Sequence, residues 1–527
     1  MSYIPTIGLE IHAELKTRTK MFCDCLNDPA EKHPNVNVCP ICLAHPGTLP
    51  VPNKQAIEAV LLTGMAVNGD IPAVSKFDRK NYFYPDLPKG YQISQYDQPL
   101  IMGGILNGVR IRRIHLEEDT GRLQHIAYGK EQIENAESRD GKPYAIGHKP
   151  SATLVDFNRA GVPLMELVTE PDIKSAEQAV QFAKELQLIL RYLGVSDADM
   201  ERGQMRVEVN ISLRQATGDT GQGEDGVRPA THSTGSGQAS DQRQDENVLG
   251  TKVEVKNLNS FEAVRGAVEY ELVRQTELLE KGEKVAHETR GWDDVGRKTV
   301  SQRGKEEAHD YRYFPEPDIP PLDMGAFDLK AIKLRLTELP QAKRVRFQKE
   351  FNLRPEQAEM LVQDREGANF FEEAVSEFEE EDEETTQQEI QLLMNYLTTD
   401  LRALMAEADV GFRGLKITPE NFADLIYLIS HDKLSSRGAK DILRKMFETG
   451  GDPHEIMKTE GMEQTSDTGE LGAIVSRIIT ENPGAVADYK KGKLNALQFL
   501  VGKAMAALKG KGNPGMLQEI FKKGLEK

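Results

Sequence analysis

Two groups of side chains in this sequence could do chemistry, and both begin near its start. Cys23, Cys25, Cys39 and Cys42 are the only thiols, all inside "FCDCLNDPAEKHPNVNVCPIC". They read as C-x-C, 13 intervening residues, then C-x2-C. Two short knuckles joined by a loop suit a tetrahedral ion, each knuckle supplying two thiolates. Sulfur at all four positions leaves none open for water, which points to structural zinc and away from catalysis. The alternative, four reduced and buried thiols without metal, stays open. The first knuckle is shorter than the usual spacing, and His33 in the loop is a possible substitute ligand.

The second group is a set of carboxylates on strand-like segments. In "IGLEIHAEL", period-two alternation sends Ile7, Leu9, Ile11 and Ala13 one way and Glu10, His12 and Glu14 the other. "MRVEVNISLR" places Val207, Val209, Ile211 and Leu213 opposite Arg206, Glu208, Asn210 and Ser212. "TKVEVKNL" carries Lys252, Glu254 and Lys256 on its polar face, and "VRIRRIHLEEDTGR" ends on Glu117, Glu118 and Asp119. Any one of these is an ordinary antiparallel strand with one wet face. Together they gather the hard oxygen set that Mg²⁺ prefers. His12 is a less usual Mg²⁺ ligand and could instead carry a proton or bind a softer ion. No Walker loop, G-x-S-x-G elbow or H-E-x-x-H motif occurs. Spacing alone reaches metal-assisted phosphate chemistry in a β-rich domain.

The elements that must hold these residues are spread along 527 positions, more than one hydrophobic core organises. Up to about residue 320 the chain is rich in strand alternation and turn signals; helical periodicity follows. "LRPEQAEMLVQDREGANFFEEAV" and "DLIYLISHDKLSSRGAKDILRKMFETG" read as amphipathic helices, and a turn-rich break near residue 410 suggests a further boundary. The expected class is α+β: a β-rich domain over 1–320, a helical domain over 321–410 and a helical tail over 411–527. The end of that tail reads as three short helices separated by Asn-Pro turns. Residues 215–249 lack aromatics and are dense in Gly, Ser, Thr, Asp and Gln, so they read as a disordered excursion between two strands.

The formal charge of −18 argues against phosphate contacts in general. Residues 482–527 depart from it, with nine lysines against three acids. The block from Glu372 to Glu384, with nine acids and no base, reads as a solvated face. No apolar run reaches the roughly 18 residues of a membrane span, and the N-terminus has no signal-peptide pattern, so a cytoplasmic location is expected.

Six motifs, "IGLEIHAEL", "RKNYFYPDLPKGYQISQY", "IHLEEDTGR", "DFNRAGVPLMELVTEPDI", "VEVKNLNSF" and "DYRYFPEPDIPPL", occur in that order. With them the chain resembles the B subunit of the aspartyl-tRNA(Asn)/glutamyl-tRNA(Gln) amidotransferase, from the first strand to the C-terminus. The resemblance implies a cradle-shaped domain of the amidotransferase B type, a helical domain and a tail domain. It implies a heterotrimer in which an amidase partner and a small wrapping partner join this chain to work on misacylated tRNA(Gln) or tRNA(Asn). ATP and Mg²⁺ would phosphorylate the free side-chain carboxylate, and ammonia from the amidase would displace phosphate. Glu10, His12, Glu117, Glu118, Glu208 and Asn210 match positions lining the family's kinase site, with His12, Glu117, Glu118 and Glu208 as Mg²⁺ ligands. Lys252 and Glu254 are further candidates on the neighbouring strand, Lys252 steadying a phosphate. Cys23, Cys25, Cys39 and Cys42 match the family's four-cysteine site.

Lys80, Tyr82, Tyr84, Lys89 and Tyr91 either pack around a Pro-braced turn or meet the terminal adenosine of the tRNA. Lys490, Lys491, Lys493, Lys503, Lys509 and Lys511 are expected to contact tRNA, the alternative being that they only solubilise a small helical module. From a different class comes a non-catalytic tRNA-binding scaffold, against which the polar strand faces count.

Overall fold

The computed structural model describes residues 3–28, 30–127, 151–215, 250–304, 311–378, 382–461, 468–493, 495–508 and 514–525. The expected excursion at 215–249 therefore lies outside the described residues from 216 onward. Among those described, no helix is long and apolar enough to cross a membrane. The chain divides into two compact units, Met1–Leu339 and Pro340–Lys527.

The first unit is built on a mixed sheet of nine strands. Its main members are β1 (Tyr3–Glu14), β4 (Val109–Glu118), β5 (Pro163–Thr169), β6 (Met205–Gln215), β7 (Val253–Leu258), β8 (Glu288–Asp293) and β9 (Lys298–Gly304); β2 (Asp78–Asn81) and β3 (Tyr91–Ser94) form a separate ribbon. The order is β9-β8-β7-β6-β1-β5-β4, with the short strand Ile101–Met102 beyond β4. All neighbours on this path are antiparallel except β7 and β8. β1 thus lies between β6 and β5, where both of its edges are hydrogen-bonded.

The alternation read from the sequence decides which face is covered. Ile7, Leu9, Ile11, Val207, Val209, Ile211, Val253 and Val255 are all buried in one core. Helices Lys54–Ala66, Ala176–Tyr192 and Phe261–Glu280 contribute to the same core. Burial stabilises each such aliphatic side chain by roughly 1.5–3 kcal/mol. Ser175 and Ser260 cap the two longer helices, accepting from the backbone N–H of Gln178 and Ala263.

Two expected boundaries differ. Residues 321–339 belong to the first unit: Leu322–Asp323 pairs with Val74–Ser75, and Ile332 joins the first core. The helical pattern there is a short helix docked on the β-rich unit. At residue 410 the packing is continuous, because helix Pro419–Ser430 packs on Arg365–Ser376 and Glu383–Tyr396. The Phe370 ring lies 5.5 Å from Phe412 and 5.6 Å from Phe422, across the turn-rich segment.

The C-terminal stretch holds four described helices where three were expected: Thr468–Glu481, Pro483–Lys490, Asn495–Ala507 and Pro514–Leu525. Pro483 and Pro514 open two of them, as proline does at a first helical position. The missed break is at Gly492, whose φ of +86° suits glycine. Leu471, Val475, Leu500, Leu517 and Phe521 form a core of their own.

Candidate active site

The face of the sheet opposite the first unit's core collects the polar residues of four strands in one row. Registry places Arg206 of β6 beside His12 of β1, His12 beside Glu166 of β5, and Glu166 beside His115 of β4. His12 Nε2 lies 3.3 Å from Glu166 Oε2 and 3.5 Å from Glu117 Oε1. Glu166 also faces His115 Nε2 at 3.4 Å and Arg113 at 3.9 Å. Glu117 accepts a hydrogen bond from Ser94 Oγ at 3.0 Å and faces Lys80 Nζ at 3.8 Å.

Burial works against charge here, and partners overrule it. The His12 imidazole is disfavoured as a cation by burial, yet Glu117 and Glu166 push its pKa up to about 10. Burial likewise opposes ionisation of Glu166, but His115 and His12 hold its carboxyl well below the usual range. Glu117 is lowered against the same penalty, chiefly by the Lys80 ammonium.

One residue pair along β1, a second group adjoins. Glu10, Glu208 and Glu254 bring carboxylate oxygens within 4.8 Å of one another, as His12, Glu117 and Glu166 bring their ligand atoms. Lys256 Nζ spans this second group, 2.9 Å from Glu208 and 3.6 Å from Glu254. Asn210 Nδ2 donates to Glu10 Oε1 at 2.8 Å, while Asn210 Oδ1 is buried with no hydrogen-bond partner among the described residues. Burial raises the Glu10 pKa, helped by the charges of Glu166 and Glu208. Carboxylates crowded into mutual repulsion, with a buried oxygen left orphaned, are a donor set that fits hard divalent cations. Cationic partners lie against both groups: Lys80, His115 and His12 against the first and Lys256 against the second.

The four cysteine sulfurs also converge, all within 4.8 Å of one another. Cys39 Sγ and Cys42 Sγ are 3.9 Å apart, close to the ~3.8 Å edge that a tetrahedron with ~2.3 Å metal–sulfur bonds requires. The Cys42 pKa is pulled down to about 5, first by a hydrogen bond from Cys23, and with help from the backbone N–H of Cys39 and the charge of Lys20. The donor set fits zinc. His33 stays outside it, exposed and paired with Glu31 at 2.9 Å.

Residues 5–328 match the family model described as the GatB/GatE catalytic domain, and residues 369–525 match the one described as the GatB domain. Among curated proteins, the B subunit of the aspartyl/glutamyl-tRNA(Asn/Gln) amidotransferase of Thermomicrobium roseum is 43% identical over 534 residues, covering 100% of this chain and 99% of that protein. Its counterpart in Thermotoga maritima is 43% identical over 534 residues and covers 100% of both chains. That of Dehalococcoides mccartyi is 42% identical over 536 residues, with 99% of each chain covered. The chain belongs to the family of aspartyl/glutamyl-tRNA(Asn/Gln) amidotransferase B subunits.

Several residues expected from the family resemblance sit elsewhere than on this face. Glu118 is one. Consecutive strand residues point to opposite faces, so Glu118 turns away from Glu117. There it binds Lys89 at 2.6 Å and accepts from the Ile93 backbone N–H at 3.0 Å. Lys252 is exposed and precedes β7, leaving Lys256 as the lysine that meets the carboxylates. Lys80 lies against Glu117, with its ammonium 5.4 Å from the Tyr311 ring centre.

Tyr82 is part-buried, donating to Gln92 Oε1 at 3.2 Å, and Tyr91 stacks under Arg79 at 4.3 Å. Tyr84 is exposed. Of the tail lysines, Lys490, Lys491, Lys493 and Lys503 are exposed; Lys509 and Lys511 lie outside the described residues. Sequence reasoning missed Glu166 and His115 as site residues. Glu166 was marked by being the only charged side chain in "VPLMELV".

Proposed function

We propose that this chain is where ATP converts the side-chain carboxylate of glutamate on tRNA(Gln), or aspartate on tRNA(Asn), into an acyl phosphate that ammonia then turns into the amide. The observation that carries the reading is the pair of adjoining carboxylate groups on one sheet face, with the orphaned Asn210 oxygen beside them. A carboxylate is a poor acyl donor because its leaving group would be oxide; phosphate leaves readily. The difficulty is to bring two anions, ATP and the substrate carboxylate, into line.

His12, Glu117 and Glu166 would hold one Mg²⁺, and Glu10, Glu208 and Glu254 with Asn210 a second. Bound there, Mg²⁺ supplies charge neutralisation and alignment for phosphoryl transfer. The chain's own residues do the remainder. Lys80 and Lys256 offer ammonium donors at the two ends of the face, Lys256 in the role first expected of Lys252. Glu118 and Lys89, paired with each other on the opposite side of β4, brace the turn before β3. Burial of Glu117 and Glu166 keeps water from the acyl phosphate, which would otherwise hydrolyse.

Ammonia comes from glutamine at the amidase partner, and the small wrapping partner completes the heterotrimer. The four thiolates hold zinc as a structural centre in this cradle-type domain. The exposed lysines of the tail domain contact tRNA, and the complex works in the cytoplasm. The test is Glu208→Gln, which removes charge and keeps shape. ADP formed per misacylated tRNA should fall about 100-fold, the usual cost of one lost charge contact in a dry site. Wild-type ADP formation in a folded variant removes Glu208 from the machinery.

A further inference from the structure

Lys20 is the most deeply buried cation among the described residues of the first unit, with no measurable exposure. A buried ammonium is costly without a counter-charge. Among the described residues, no carboxylate lies within ion-pairing distance of it. Its three donors go instead to Asn37 O at 2.7 Å, Phe157 O at 3.2 Å and Cys42 Sγ at 3.9 Å. The nearest anionic groups available to it are the thiolates.

The three acceptors of the Lys20 ammonium belong to the cysteine loop and to the stretch leading into β5. Asn37 lies between the two knuckles. Its backbone N–H donates to Asn158 Oδ1 at 2.9 Å, and Asn158 Nδ2 donates to His33 O at 2.7 Å. Gly161, at φ +85°, passes so close that an added Cβ would sit 3.5 Å from Cys42 Cβ and 3.6 Å from Lys20 Cδ. Its carbonyl accepts from the Met21 N–H at 2.7 Å. Two residues later β5 begins, the strand that carries Glu166.

We infer that Lys20 is the counter-charge of the four-thiolate metal centre, and that it ties that centre to the 157–161 stretch feeding β5. The inference rests on the zinc reading of the cysteines given above. Four thiolates around a divalent ion leave a net charge of −2, and Cys42, the buried one of the four, is the sulfur least able to share it with water. One ammonium placed against Cys42 halves it. Its hydrogen bond also draws electron density from sulfur, as groups just outside a metal's ligands do. Because Lys20 also holds two carbonyls, it would fix the loop geometry that brings the knuckles together.

The test uses the full-length chain and the metals Zn²⁺ and Co²⁺. Lys20→Met removes the charge and the donors and leaves an apolar side chain one atom shorter; Lys20→Gln, run in parallel, is as short but keeps a neutral N–H donor. Competition with a chromogenic chelator should show Zn²⁺ bound 10- to 100-fold more weakly in either variant, the range found when such outer partners are lost. In the Co²⁺ form, the sulfur-to-metal charge-transfer band should move to longer wavelength while the tetrahedral ligand-field bands persist. A merely space-filling lysine would leave that band in place. Wild-type affinity and an unmoved band in whichever neutral variant folds would overturn the inference while leaving the zinc reading intact. A wild-type chain that takes up neither metal would defeat the zinc reading and the inference together.

Discussion

Glu166→Gln is the substitution in which the electrostatics of the site can be worked through. The change removes one negative charge from between His12, His115 and Arg113 while keeping the side chain's shape. In the metal-free chain His12 has its pKa raised to about 10, from an ordinary 6.5. A raised pKa means stability that is present in full below the unfolded value of 6.5 and is lost as pH climbs through about 10. At pH 7.5 the part still present is roughly 3 kcal/mol, at about 1.4 kcal/mol per pH unit. Glu117 supplies part of that, and relief of the buried Glu166 charge offsets more, leaving a loss of about 1–2 kcal/mol for the variant. Urea unfolding of both chains without metal, at pH 6.5, 7.5 and 10, is the assay. The difference between them should shrink as pH rises across that window. Activity should suffer more, with ADP formation falling about 100-fold as one ligand of the proposed Mg²⁺ site is lost. A stability difference that is flat in pH, or wild-type ADP formation, would refute the reasoning.

Two further outcomes follow from the same arrangement. Mg²⁺ has to displace the proton that Glu117 and Glu166 hold on His12, so uptake should release protons and tighten as pH rises from 6.5 towards 10. Calorimetry in two buffers of different ionisation enthalpy reads the proton count directly, and none released would remove His12 from the ligands. Deleting residues 482–527 should weaken tRNA binding and flatten its salt dependence by a little under one log unit per lost phosphate contact, with ADP formation on tRNA that still binds largely spared.

Much of the site face was legible because period two is a strong constraint. The apolar sides of β1, β6 and β7 specify which residues face the core, so Glu10, His12, Glu208, Asn210 and Glu254 had to share the other side. Glu117 and Glu118 show where alternation needs more: it says that they part company, and only the pairing with β5 says which one joins His12. Lys252 and Lys256 share a polar face, and strand length alone separates them, since β7 begins at Val253. His115 became a site residue only through the registry of β4 with Glu166, a long-range fact. The segment 321–339 carried a helical signal, but a signal of that kind does not say which core the helix joins; the pairing of Leu322–Asp323 with Val74–Ser75 does.

The central claim is that an acyl phosphate forms on this face, and isotope transfer tests it most directly. Misacylated tRNA carrying ¹⁸O in the glutamate side-chain carboxylate is turned over by the complete complex with ATP, Mg²⁺ and glutamine, and the inorganic phosphate is analysed by mass spectrometry. The account predicts one ¹⁸O in the phosphate for each amide formed, because the oxygen that leaves the carboxylate departs with the phosphoryl group. Phosphate free of label, or label recovered in AMP, would contradict it.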